Sequence, residues 1–324
     1  MHFSTKRLAM ASAATALLCA LTPAQAQTWP TKTVRFVVPF SPGGANDLMA
    51  RAAAEGASKV LGQTVIVENR GGAGGSLGAD IVAKSTPDGY TFLISAAGVI
   101  SNSMIKKSLP FKDEDLVPVV MIGVAPSVIV VPKSAPYDTL RDFVEASKKG
   151  QGFNFATAGT GSTPHFVAEI LNVKYGAKLQ PVPYKSGSES TTAVMSGQVE
   201  GTSEASIIAL PHIRGEGRFK PLATTWTKRI SAYPQLSTAV EQGFSDLQIA
   251  HWAGLHAPRG TPPEIMDKLA VAVDKAMHDQ ANMDKLRGLG IEPVGGTRQE
   301  FVTFVDAERK RLGEIVKAAR MKED

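Results

Sequence analysis

Cysteine is almost missing from this sequence: Cys19 is the only one, and it lies in an N-terminal run with the character of a leader. From residue 27 onward there is none, which excludes disulfides, thiolate nucleophiles and cysteine-bound metal together. Long apolar runs are missing too. The apolar core of the N-terminal run, Leu8 to Leu21, has 14 residues, short of the roughly 20 that cross a bilayer as a helix. Charge of one sign is massed nowhere. The formal charge is +5 over 324 residues with Lys and Arg scattered, which argues against nucleic acid as a partner. Neither a Gly-Lys-Ser/Thr phosphate loop nor a His-Glu-x-x-His pair is present, so nucleotide and zincin chemistry have no motif to rest on.

What is there begins with Lys6 and Arg7 ahead of that apolar run and Ala24-Gln25-Ala26 behind it, the layout of a secretory signal peptide. The expectation is a leader over 1–26, cleaved near Ala26, and export to the periplasm. The bulky Leu18 beside Cys19 argues against a lipid anchor. Loss of Lys6 and Arg7 takes the formal charge from +5 to +3, a weak basic bias that suits an anionic small molecule.

The remaining ~300 residues exceed what one core usually organises, so two lobes are expected. Val34 to Phe40 reads as a strand, Ser41-Pro42-Gly43-Gly44 as a turn, and Asn46 to Leu61 as a helix. A strand over 64–68, a helix over 76–84 and a strand over 90–95 continue the rhythm. After Pro118 come two strands, 119–124 and 127–131, then a helix over 139–149, a strand over 153–157, helices over 163–172 and 188–196, and a strand over 180–183. A strand-like stretch, 247–257, leads to helices over 262–279, 282–289 and 297–319, expected to pack back on the first lobe. Alternating strands and helices imply an α/β fold with a mostly parallel, doubly covered sheet. The expected division is lobe 1 over 27–127 plus 254–324 and lobe 2 over 128–253, joined by two hinge strands.

Two loops carry the functional reading. Phe40-Ser41-Pro42-Gly43-Gly44-Ala45-Asn46-Asp47 takes a strand into a helix through two glycines, which lets a ligand approach backbone N–H groups at a helix start. Ala158-Gly159-Thr160-Gly161-Ser162-Thr163-Pro164-His165 repeats the arrangement further along. Each reads equally well as a capped βα turn; the pair, facing each other, would clamp an anion. Ser186 and Ser188 open another helix and offer hydroxyls or a cap. Glu204 ends a short strand with its role open, because an acid facing a carboxylate is costly unless protonated or bridged by water. Ser162 and His165, three apart, read as a cap and a first-turn side chain. His251 and His256 have no companion ligands, so neither catalysis nor a metal site is expected.

In this order, several segments resemble the substrate-binding receptors of tripartite tricarboxylate transporters, the Bug type. They are Trp29-Pro30, Val38 to Gly44 with Asp47, Val67 to Gly75, Pro87 to Thr91, Gly159 to His165, Pro183-Tyr184-Lys185, Gly197-Gln198-Val199 and Trp252 to Pro258. The resemblance implies a two-lobed periplasmic-binding-protein fold of the Venus flytrap kind, a monomer without enzymatic activity or cofactor. It implies a small carboxylate ligand and membrane transporter subunits as partners. Carried over by position, it nominates Phe40, Gly43, Gly44 and Asp47 in one lobe and Thr160, Gly161, Ser162 and His165 in the other. Where the family often has Phe-Asp this chain has Ser203-Glu204, so a pocket widened at Ser203 is expected to take a ligand bulkier than malate, such as terephthalate. A receptor that presents its ligand to a sensor kinase would share this pocket, and a secreted hydrolase is the remaining alternative.

Overall fold

A computed structural model describes residues 29–184, 186–214 and 217–323. The expected leader over 1–26 lies outside the described residues, as does Lys185. The compact unit of the fold begins at Lys32. Among the described residues no helix is long and apolar enough to cross a membrane.

The chain first lays down β1 (Val34–Val38), α1 (Ala45–Leu61), β2 (Val65–Asn69), α2 (Ser76–Ala83), β3 (Thr91–Ser95) and α3 (Ala97–Ile105). β1 is almost wholly buried and pairs in parallel with β2 on one side and β3 on the other. This is why Val34, Phe36, Val37 and Val38 run with little polar alternation.

β4 (Leu116–Pro132) then runs for 17 residues, where the sequence predicts two shorter strands. Its first part, up to Pro126, pairs antiparallel with β9 (Ala250–Pro258). From Ser127 it pairs instead with β7 (Gly201–Ala205) and β8 (Phe219–Thr224). Pro126 lacks an N–H, and it sits where the partners change, so the missing donor does not end the strand.

The second half holds α4 (Leu140–Ser147), β5 (Phe153–Thr157), α5 (Thr163–Tyr175), β6 (Leu179–Pro183), α6 (Gly187–Met195) and α7 (Ser206–Ile213). β5 is parallel to both β6 and β7. The continuous sheet order is β2-β1-β3-β9-β4-β7-β5-β6, with β8 and the short β10 (Glu292–Pro293) beside β4. This is an α/β fold whose central strand is shared by two half-sheets.

Three elements escape the periodicity. α3 buries Ser101 and Asn102 along with its apolar residues, so it shows no clean stripe. α7 contains Pro211, which reads as a breaker, and it starts directly from β7 with no turn residues between. β8 has Lys220 and Pro221 within it.

The C-terminal helices are α8 (Pro263–Met277), α9 (Gln280–Gly288) and α10 (Arg298–Ala319). α8 packs on α1 so closely that a side chain at Gly56 would meet Ala276. α10 does not stay with the first half. Its Phe301, Val305, Leu312 and Ile315 share one core with Ile100 and Ile105 of α3 and with Phe166 and Ile170 of α5. The last helix is thus a strut against both halves.

Candidate functional site

Strand-to-helix turns from both halves open on one cleft of about 700 Å³. Its wall includes Phe40, Gly44 and Ala45 after β1, Gly71 to Gly75 after β2, Ala96 and Gly98 after β3, Thr160, Ser162 and Thr163 after β5, Ser186 to Ser188 after β6, and Ala205 after β7. The helices α1, α2, α3, α5, α6 and α7 therefore begin at the cleft. Of these, only α6 has a side-chain cap, Ser186 accepting from the Glu189 N–H. The N-caps of the other five, Gly44, Gly75, Ala96, Ser162 and Ala205, make no side-chain cap bond. First-turn N–H groups have no acceptor within their helix, and each helix start carries roughly half a positive charge. The cleft is ringed by that field. No Lys or Arg lines it among the described residues.

The structure divides the eleven sequence-predicted residues into two groups. Phe40, Gly44, Thr160, Ser162, Ser186, Ser188 and Glu204 line the cleft. Gly43, Asp47, Gly161 and His165 do not; they hold the loops. Asp47 is buried, and its carboxylate accepts from the Gly43 N–H at 2.9 Å, Asn69 Nδ2 at 2.9 Å and Arg51 Nε at 3.0 Å. Burial pushes its pKa up, but the bonds from Arg51, Gly43 and Asn69 more than offset this and hold it below the usual range. In the other half the Gly161 N–H donates to His165 Nδ1 at 3.1 Å. Each loop is thus tied by an acceptor one helical turn further on.

Ser162 is at the wall, yet its hydroxyl donates to the Gly159 carbonyl at 2.6 Å, so it has a lone pair but no proton to offer. Together with the commitment of His165 to Gly161, this separates the only Ser and His that lie close in the loop sequence. A Gly-x-Ser-x-Gly string does occur, Gly74 to Gly78, against the expectation that the chain has no such nucleophile elbow. Its Ser76 follows a 3-10 turn (Ala73–Gly75) rather than a strand, and its buried Oγ has no partner, so no base is in place.

Ser203 corrects an expectation. It is fully buried and bonded through its hydroxyl to Ser127 at 2.6 Å, away from the cleft. Successive side chains of a strand point to opposite faces, so Glu204, not Ser203, faces the ligand space. The widening argument for terephthalate loses its footing. Trp252 is core, edge-on to Phe301 and Phe304.

Glu204 is 4% exposed, and its Oε1 has no hydrogen-bond partner. Burial pushes the carboxyl up to about 8, only partly opposed by the Ala205 backbone N–H. The residue that sequence reasoning undervalued is His251, on β9. It lines the same cleft, and its Nε2 is shielded and unpartnered. Burial pushes its pKa down to about 4, against a bond to the Ser203 backbone that favours the charged form. Its signal in the sequence is faint: one of two histidines, with His256, in a strand of otherwise small or apolar residues. No cluster of metal-ligating side chains occurs among the described residues.

The family model described as "Tripartite tricarboxylate transporter family receptor" matches residues 49–321. An R. palustris protein solved with adipate is 32% identical, with a TM-score of 0.85 over 91% of this chain and 99% of that one. The periplasmic binding protein BugD is 29% identical, with a TM-score of 0.83 over 91% and 100% of the two chains. MatC from Rhodopseudomonas palustris, solved with bound malate, is 29% identical, with a TM-score of 0.79 over 90% and 100%.

Proposed function

Since the chain belongs to the tripartite tricarboxylate transporter receptor family, we propose that it captures a small carboxylate in this cleft and delivers it to the membrane subunits of such a transporter. The observation that carries the reading is the ring of uncapped helix starts around a cleft without lysine or arginine among its described wall residues. Such a ring binds an anion through backbone N–H groups and aligned dipoles, with no salt bridge. Adipate and malate in the two relatives support the carboxylate class.

Hydrogen bonds to a charged group contribute about 1.5–3 kcal/mol each, and micromolar affinity requires about 8 kcal/mol. Four or five backbone or hydroxyl contacts are therefore sufficient, with Thr160, Ser186 and Ser188 the candidate hydroxyls. The volume of about 700 Å³ exceeds a single malate and leaves room for water or a longer chain. The lobes of the flytrap are proposed to divide where β4 changes partners, between Pro126 and Ser127, and at Ala250, where the chain rejoins the first half-sheet. The ligand stabilises closure to the extent that it gains contacts from both sides.

A thermal-shift screen of the purified protein against aliphatic and aromatic carboxylates, phosphates and uncharged solutes tests this. Stabilisation confined to carboxylates is the expected result. Selective stabilisation by phosphates or by uncharged solutes would overturn it.

A further inference from the structure

The loops account for one end of a ligand, and the cleft wall has a second polar feature that they do not use. Glu204 Oε1 and His251 Nε2 are both shielded from water, both without a partner, and both on the wall of the same cleft. They are neighbours: a ring N–H of His251 bonds to the backbone of Ser203, the residue before Glu204. With its proton on Nδ1, the neutral ring presents a bare lone pair at Nε2. Gly187 roofs the carboxyl, since a side chain there would come within 2.8 Å of Oε2. Buried polar atoms are normally satisfied, so this pair is built for something that arrives.

The charge balance says what. Among the described wall residues the only ionisable groups besides His251 and Tyr184 are two acids, Glu204 and Glu323, and Glu323 is already paired with Lys106 at 3.3 Å. A second carboxylate brought here would meet a lone pair on His251, and only a Glu204 that keeps its proton would receive it. A group with N–H donors meets the His251 lone pair and, once Glu204 gives up its proton, a carboxylate.

We propose that Glu204 and His251 form a cation subsite that takes the ammonium end of an aminocarboxylate whose carboxylate is held at the helix starts. The inference rests on the carboxylate-receptor reading and narrows it from carboxylates in general to amine-bearing ones. On binding, Glu204 gives its proton to solvent and pairs with the ammonium, while His251 Nε2 accepts a second N–H. At neutral pH the proton leaves at a cost of about tenfold in affinity, since the carboxyl stands near 8. The charge-assisted bond formed in a dry site outweighs this.

Isothermal titration of the purified protein with chain-matched straight-chain carboxylates tests the assignment, the far end being ammonium, methyl or a second carboxylate. The ammonium series is expected to bind at least tenfold tighter than either other series at its best length. Glu204→Gln, which keeps the shape and removes the ionisable oxygen, is expected to abolish that preference, so that the ammonium and methyl series bind the variant within about threefold of each other. Dicarboxylates binding as tightly as aminocarboxylates, or an unchanged order in Glu204→Gln, would overturn the subsite and leave the carboxylate receptor standing. Failure of all three series would overturn both.

Discussion

Glu204 turns the cleft into a stability sensor that can be read without any ligand. Its carboxyl is raised from 4.5 to about 8 by burial. Below the lower value the group is protonated whether the chain is folded or not, and it costs nothing. Between the two, the unfolded chain releases the proton and the folded one retains it, so the folded state loses stability as pH rises, by about 1.4 kcal/mol per pH unit. Above 8 the loss levels off. Summed over the window it is on the order of 5 kcal/mol, and at pH 7 about 3 kcal/mol. Glu204→Gln cannot ionise and escapes this loss. Urea unfolding of both proteins at pH 5, 7 and 8.5 is therefore expected to show a stability advantage for the variant that grows by about 4 kcal/mol across the series. The amide adds a constant offset that pH does not move. A difference flat from pH 5 to 8.5 would refute the reasoning, because it would mean that Glu204 ionises freely in the folded cleft.

Two other perturbations follow from the same geometry. Gly161 has φ +76°, and a side chain there would stand 2.6 Å from Ser101 Oγ, which donates to the Gly161 carbonyl at 3.2 Å; Gly161→Ala is expected to destabilise the fold by about 2–3 kcal/mol. Gly159→Ala, at φ +99° with open space around it, is expected to lose only the backbone part in the same urea assay, and equal losses would remove the Ser101 contact from the argument. On the acid side, burial holds His251 at about 4 and His256 at about 3, the latter aided by Arg309. Both contribute stability above pH 6.5 that is lost as pH falls toward those values, because the unfolded chain takes up protons first. In the Glu204→Gln background unfolding at pH 6.5, 5.5 and 4.5 should show a fall of up to about 2.7 kcal/mol per unit, and an equal fall in a His251→Gln, His256→Gln double variant would assign it elsewhere.

Much of the cleft was legible because its parts are local. A strand that ends in small residues and restarts as a helix, as at Phe40 to Ala45 and at Thr157 to Thr163, announces itself by composition. What was not legible is which atoms of those loops are already spent. The family resemblance nominates Asp47 and His165 as ligand contacts, and only the fold shows their acceptors turned back on Gly43 and Gly161. Ser203 and Glu204 show the same limit from the other side. Neighbours on a strand face opposite ways, and the register against Ile129 and Val128 of β4 decides which one meets the ligand. The shared strand β4 was read as two because Pro126 is a breaker in isolation, and the change of partners that accommodates it is non-local. His251 was undervalued because its worth depends on Glu204, nearly fifty residues away in sequence.

The last described residue has a practical bearing. Glu323 lies on the cleft wall, donates its N–H to the Ile105 carbonyl at 3.1 Å and pairs with Lys106, whose ammonium also reaches the Ala73 carbonyl at 2.8 Å. Position 323 is therefore a point of attachment on the wall of the binding cleft. An affinity tag placed there would crowd the entrance, whereas an environment-sensitive dye attached at the same place would report occupancy directly, turning the receptor into a sensor for its own cargo.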